Sequence, residues 1–305
     1  MTTFTKALVA GSRGSSLALA QTNWVLAKLR GAHPDRDFIA EVRTIATEGD
    51  RSQSSGVPLA QIAGRGVFVK DLEHALAEGA IDFAVHSLKD MTSSSTDAAL
   101  TIAAFPGRED PRDVVVSRNS LPIASQPAGA RIGTSSPRRA AQLSLERPDL
   151  AFVPIRGNVD TRIRKVESGE YDAVVLAAAG LLRLGLAAKI TEYLSPDRCL
   201  PDPGQGALAV EVRAGDHDIL EFFAAIDDPV TRATVTAERA FLSALGGGCQ
   251  TPAGALATID GATLTLRALI VSGGRRIEAS LQGSAAEPEA LGRAVAAAIM
   301  AQSGA

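Results

Sequence analysis

Twice in this chain a short apolar strand runs into a glycine, a cluster of hydroxyl residues and then a helix. The first instance is Leu8-Val9-Ala10, followed by Gly11-Ser12-Arg13-Gly14-Ser15-Ser16. The second is Ala130-Arg131-Ile132-Gly133, followed by Thr134-Ser135-Ser136-Pro137-Arg138-Arg139. Hydroxyl residues before a helix cap its free N–H groups, and those same groups form an anion site. Pro137 suits the first helical position, where its missing N–H is not needed. Further strand-like segments lie at 38–44, 100–104, 153–155 and 173–176, and a helix-like one at 67–78, with Val67, Leu72, Ala75 and Leu76 inward. Such alternation implies an α/β fold with a mostly parallel sheet.

A length of 305 residues allows two or three domains. Pro106-Gly107-Arg108-Glu109-Asp110-Pro111-Arg112-Asp113 and Leu200-Pro201-Asp202-Pro203-Gly204-Gln205-Gly206 have the composition of hinges. Residues 207–212 are expected to return to the first domain after the second crossing. The expected division is domain 1 at 1–106 and 205–226, domain 2 at 107–204, and domain 3 at 227–305. The last begins with a helix at 229–245 and continues as strands near 255–259, 264–271 and 276–281, then a helix at 287–302. That is a small α+β domain. Residues 48–66, rich in Ser and Gly with weak periodicity, read as a mobile lid in domain 1.

Charge narrows the function. Residues 131–165 hold eight Lys/Arg against three acids, a net of +5 on a chain whose total is -3. A basic region on an otherwise acidic protein suggests a small anionic ligand rather than nucleic acid. Aromatic residues at 4% also argue against base-stacking platforms. No apolar run is long enough to span a membrane, and the N-terminus has no signal-peptide pattern. The two cysteines, Cys199 and Cys249, make neither a disulfide framework nor a zinc site, and the four histidines show no metal spacing. A cytoplasmic protein with reduced thiols and no metal is expected. With no obvious apolar stripe, a monomer is the default.

The stretch from Asp82 to Asp90 concentrates the chemistry. Ile81, Phe83 and Val85 alternate as a strand with one buried face, and His86, Ser87, Lys89 and Asp90 then follow. Polar side chains leaving the carboxyl end of a strand are how α/β sheets present chemistry, although a charged turn reads the same way. Arg13, Arg138, Arg139, Arg156, Arg162 and Arg183 stand at strand ends and helix starts. Two cations in the first helical turn oppose the helix dipole by up to about 1 kcal/mol, so a bound anion is the simplest compensation for Arg138 and Arg139. Arginine pairs both oxygens of a carboxylate, which suits a ligand with several carboxylates or phosphates. No P-loop is present. Cys249 follows three glycines, which let the backbone bring the thiol close to a ligand. Cys199 is assigned to structure.

In order along the chain, A-V-H-S-L-K-D, G-R-E-D-P-R-D, G-T-S-S-P-R-R, R-G-N-V-D-T-R, P-G-Q-G-A and G-G-C-Q-T-P resemble the motifs of the porphobilinogen deaminase (hydroxymethylbilane synthase) family. The resemblance runs from Arg13 to the last helix. It implies two domains like periplasmic solute-binding proteins with a central cleft, plus the small third domain. It implies a transferase of tetrapyrrole synthesis with Cys249 holding a dipyrromethane cofactor by a thioether. Four porphobilinogens would be added to that primer with loss of ammonia, and Asp90 matches the catalytic carboxylate. The cofactor would be bound by Lys89, Arg138, Arg139, Arg162, Arg183, Ser87, Ser135 and Ser136. The substrate would be bound by Arg13, Ser15, Gln21, Arg156, Arg65, Thr134 and Phe68, the last by stacking. Thr92 departs from a proline common in the family, and Gln61 from a lysine. The rival reading is a non-enzymatic anion-binding protein of the solute-receptor type, which would have no use for Asp90 or Cys249.

Overall fold

The computed structural model describes residues 7–46, 69–92, 98–246 and 252–303. The expected lid at 48–66, with Gln61 and Arg65, and also Phe68 and Cys249, lie outside the described residues. In chain order the strands are β1 (Leu8–Ser12), β2 (Ala40–Thr44), β3 (Phe83–Ser87), β4 (Leu100–Ala104), β5 (Asp113–Ser117), β6 (Arg131–Gly133), β7 (Ala151–Val153), β8 (Ala173–Ala177), β9 (Glu192–Tyr193), β10 (Leu208–Arg213), β11 (Ala253–Asp260), β12 (Thr263–Ser272) and β13 (Arg275–Ser284). The α-helices are α1 (Ser16–Ala32), α2 (Lys70–Ala77), α3 (Pro137–Glu146), α4 (Val159–Glu167), α5 (Ala178–Arg183), α6 (His217–Ala224), α7 (Pro229–Ala244) and α8 (Pro288–Ser303). The chain divides into two compact units, Met1–Arg108 with Ala207–Arg232, and Glu109–Gly206 with Ala233–Ala305.

The first unit has a five-stranded sheet of order β2-β1-β3-β10-β4. β1 is parallel to β2 and β3, and β10 is antiparallel to both β3 and β4. A parallel pair needs a crossover, and α1 supplies it between β1 and β2. Ser15 caps α1 by accepting from Ala18 N at 3.2 Å. The buried stripe of α1 is Ala18, Gln21, Thr22, Val25, Leu26 and Leu29. Lys28 stays exposed and Trp24 half-buried.

β3 departs from the expected strand with one buried face. Helices pack on both sides of the sheet there, so both of its faces are covered. Phe83 and Val85 pack with Val25, Leu26, Phe222 and Phe223. Ala84 packs on the other face with Leu72, Leu76, Ile81 and Leu100. Each large side chain so buried contributes roughly 1.5–3 kcal/mol.

The second unit repeats the arrangement as β7-β6-β8-β5-β9, with β6 parallel to β7 and β8 and β5 antiparallel to β8 and β9. In both sheets a strand from beside a crossing fills the fourth place: β10 starts two residues after Gly206, and β5 four residues after Glu109. The same unit holds the antiparallel meander β11-β12-β13, with α8 laid on it. Its core is Phe241, Leu264, Leu266, Val295 and Ile299 with their neighbours.

Candidate active site

In the first unit, the carboxyl end of β3 carries the polar cluster. Leu88 is buried, and its N–H donates to Ala207 O at 3.1 Å. That anchors the single 3-10 turn Leu88–Asp90 and leaves Ser87, Lys89 and Asp90 half-buried at the strand end. Arg13, Ser15, Gln21, His86, Ser87 and Asp90 line one small pocket, with Leu72 and Val85 among its apolar walls. Gln21 is buried on α1, and its Nε2 donates to Ser87 Oγ at 2.9 Å. Among the described residues no side chain bonds to the Asp90 carboxylate. The structure therefore brings together Arg13, Ser15, Gln21, Ser87 and Asp90, from two separate stretches of sequence.

The second unit holds the other arginines in two different conditions. Arg138 and Arg139, in the first turn of α3, are 4% and 6% exposed. Between them lies Asp113, the first residue of β5, wholly buried. Its Oδ2 accepts from Arg138 Nη1 at 2.7 Å and from Cys199 Sγ at 3.3 Å. Its Oδ1 accepts from Arg139 Nε at 2.9 Å and from Gln205 Nε2 at 2.9 Å. Burial alone would raise the Asp113 carboxyl, but the Arg138 and Arg139 charges outweigh it and hold it well below the usual carboxylate range. Arg138 Nη1 also donates to Leu200 O at 2.7 Å, and Arg139 Nη1 to Val175 O at 3.0 Å.

This corrects the expectation that a bound anion is the simplest compensation for the helix dipole at Arg138 and Arg139, because Asp113 supplies a counter-charge from inside the chain. One carboxylate against two guanidiniums still leaves the trio positive, with Asp202 acting on Arg138 from further off. Arg138 Nε is buried without a hydrogen-bond partner.

Arg156 and Arg183 are in the other condition. Arg156 follows β7, and its Nη1 and Nη2 are both shut off from solvent without a hydrogen-bond partner. An unsatisfied buried polar group costs about 1–3 kcal/mol, and a charged one more. The following Gly157 has φ +109, and a Cβ there would meet the Thr161 side chain at 2.7 Å, so only glycine allows this turn. Arg183 Nη2 donates to Gly206 O at 2.7 Å. Burial pulls its guanidinium down to about 10 against the opposing charge of Glu109. Arg162 Nε donates to Gly157 O at 2.7 Å.

The hydroxyls have local work to do. Ser135 Oγ donates to Ile155 O at 2.7 Å, Ser136 Oγ accepts from Arg139 N at 3.4 Å, and Thr134 Oγ1 accepts from Ser136 N at 3.2 Å.

Comparison with known proteins places this geometry. The model of the porphobilinogen deaminase dipyrromethane cofactor binding domain matches residues 8–221, and that of the porphobilinogen deaminase C-terminal domain matches residues 232–301. The porphobilinogen deaminase of Roseiflexus castenholzii is 48% identical over 290 residues, covering 95% of this chain and 94% of the relative. That of Bacillus subtilis is 46% identical over 297 residues, covering 97% and 93%. The chain belongs to the porphobilinogen deaminase family. That membership decides for the enzyme against the receptor reading. Among solved structures, the periplasmic VFT2 domain of Bordetella pertussis BvgS covers 72% of this chain and 86% of its own at 16% identity, with a TM-score of 0.41, too slight a likeness to argue from.

The residues fit the group that the family's first domain binds. A dipyrromethane with an acetate and a propionate on each ring needs several cationic donors, and the partnerless Arg138 Nε is of that kind.

Reading the sequence missed the roles of Asp113 and Gln205 and the partner of His86, Glu211. For Asp113 a signal was present: an acid directly before Val114-Val115-Val116 enters a buried strand and needs cationic partners. Among the described residues no helix is long and apolar enough to cross a membrane.

Proposed function

We propose that this chain is a transferase that condenses four porphobilinogen molecules head to tail, with loss of ammonia, onto a dipyrromethane primer held as a thioether by Cys249, and that water then releases hydroxymethylbilane. The strongest support among the side chains is the half-buried Asp90 carboxylate, bonded to no described side chain, in a pocket with Arg13, Ser15, Gln21 and Ser87. When bound, the primer supplies the nucleophilic pyrrole carbon. Loss of ammonia from the aminomethyl group of porphobilinogen leaves a cation shared with the ring nitrogen. A carboxylate about 4 Å away, at an effective dielectric near 20, attracts that charge by about 4 kcal/mol. Asp90 also moves protons, toward the departing amine and from the ring carbon that has formed the new bond.

The remaining side chains bind. Arg13, Ser15, Gln21, Thr134 and Arg156 hold substrate carboxylates, with Arg65 and Phe68 assisting. Lys89, Ser87, Ser135, Ser136, Arg162 and Arg183 hold the primer. Arg138 and Arg139 join them through the N–H groups that Asp113 does not occupy. The same reading places the working chain in the cytoplasm as a monomer, and divides it into three domains at 1–106 with 205–226, 107–204, and 227–305.

Intact mass tests the reading. The purified chain is expected to carry an excess equal to two pyrrole units, and Cys249→Ser to carry none. An unadorned mass for the active parent chain would refute it. Size-exclusion chromatography with light scattering checks the monomer, and a dimer mass would refute that part alone.

A further inference from the structure

Behind Asp90 sits a buried pair of ionisable side chains that the chemistry above does not use. His86 Nε2 lies 3.0 Å from Glu211 Oε2, with side chains only 3% and 5% exposed. The strand register explains how they meet. On antiparallel β3 and β10, His86 stands opposite Ala209 and Ala84 opposite Glu211, so residues 86 and 211 are diagonal neighbours on one face. An imidazole and a carboxylate are poorly tolerated in such a place unless each bonds the other.

The sheet's hydrogen bonding shows what the pair does. β1 pairs with β3 only at Phe83 and Ala84. Beyond Ala84 the end of β3 is paired on one side alone, to β10. Two side-chain struts brace that overhang. On one face Ser87 bonds Gln21 of α1, and on the other His86 bonds Glu211 of β10. Asp90 leaves the chain one turn later. A brace at the root of that turn fixes where the carboxylate points.

We propose that His86 and Glu211 are a positioning pair that sets the aim of Asp90. The inference rests on Asp90 being the catalytic carboxylate. A ring carrying its proton on Nε2 donates to the Glu211 carboxylate and completes the strut. His86 borders the Asp90 pocket, but its Nε2 is engaged by Glu211. Their effect falls on a transition state that needs the carboxylate in one place.

The test compares His86→Ala, Glu211→Ala, the double variant, Glu211→Gln and Asp90→Asn in the full chain, reading kcat, KM for porphobilinogen and intact mass. Each alanine variant is expected to lose roughly ten- to a hundred-fold in kcat, because small misplacements of a reacting group are that costly. KM changes by much less than kcat, since every side chain assigned to binding is retained. The primer mass is retained, the double variant is no worse than the worse single, and Glu211→Gln, which keeps an acceptor oxygen, recovers most of the loss. If the alanine variants fail to fold, His86→Asn serves instead, because its shorter amide keeps much of the packing but does not reach Glu211. Parent-like kcat in folded, primer-bearing variants overturns the inference. So does a loss that Glu211→Gln does not restore, or one that tracks loss of primer. Asp90→Asn separates the two ideas. Parent-like turnover there refutes the catalytic carboxylate itself, whereas a dead Asp90→Asn beside a fully active Glu211→Ala refutes only the pair.

Discussion

Arg138 and Arg139 on the one hand, and Arg156 and Arg183 on the other, are the same residue type in the same unit, and in the sequence they look alike. What faces them differs. The first pair closes on Asp113, an internal carboxylate whose two oxygens are fully taken up. Arg156 keeps two buried nitrogens without an acceptor, whereas Arg183 is desolvated but bonds the Gly206 carbonyl and feels the charge of Glu109, so the contrast is sharpest at Arg156. A buried guanidinium with its own carboxylate belongs first to the architecture. One without an acceptor is where an incoming carboxylate gains most, since no internal partner has to be displaced.

Asp113→Asn should produce the largest effect. It leaves two buried guanidiniums without their anion, and removing one partner of such a group costs roughly 3–5 kcal/mol. Urea denaturation checks this, and an unchanged midpoint would erase the distinction between the two pairs. Arg156→Ala should do the reverse. Its fold stays as stable as the parent, while binding of substrate weakens by about 2–5 kcal/mol, read as KM and as product yield. Unchanged kinetics would move Arg156 to the structural side.

The acid limb of stability sharpens the contrast. Asp113 is held below its ordinary 3.8, so the unfolded chain takes up a proton before the folded one does. Its contribution is full above pH ~4 and is lost as pH falls from there toward the folded value. Urea midpoints measured below pH ~4 should therefore drop less steeply in Asp113→Asn than in the parent.

The smallest effect concerns Cys199. Burial, aided by Asp113, pushes its thiol up to about 12. The thiolate is the reactive form, so Cys199 should resist iodoacetamide until the chain unfolds, which peptide mass mapping would show. Its contribution to stability is full below pH 9 and is lost as pH rises through about 12, since its ordinary value is 9.0.

Much of this molecule was legible in its residues. The two strand–glycine–hydroxyl–helix stretches became β1 with α1 and β6 with α3, in sheets of matching order. The C-terminal strands and helix fell within a few residues of their expected places. Local periodicity, however, reports only one side of a strand. It showed Phe83 and Val85 as inward but not that Ala84 and His86 are equally covered, because α2 lies across that face from outside the window. The site was half legible for a related reason. Residue type and position marked Asp90 and the arginines as candidates, while the partners of Arg138 and Arg139 lie far away in sequence. Asp113 meets Arg138 across 25 residues, and His86 meets Glu211 across 125. Asp113 also sits in a Pro/Gly-rich crossing whose composition suggested only a hinge.

Ammonia release from porphobilinogen by Asp90→Ala tests the role of that carboxylate most directly. The variant should fold as the parent does and release essentially no ammonia. Release at close to the parent rate would contradict the assignment of Asp90 as the group that stabilises the pyrrolic cation.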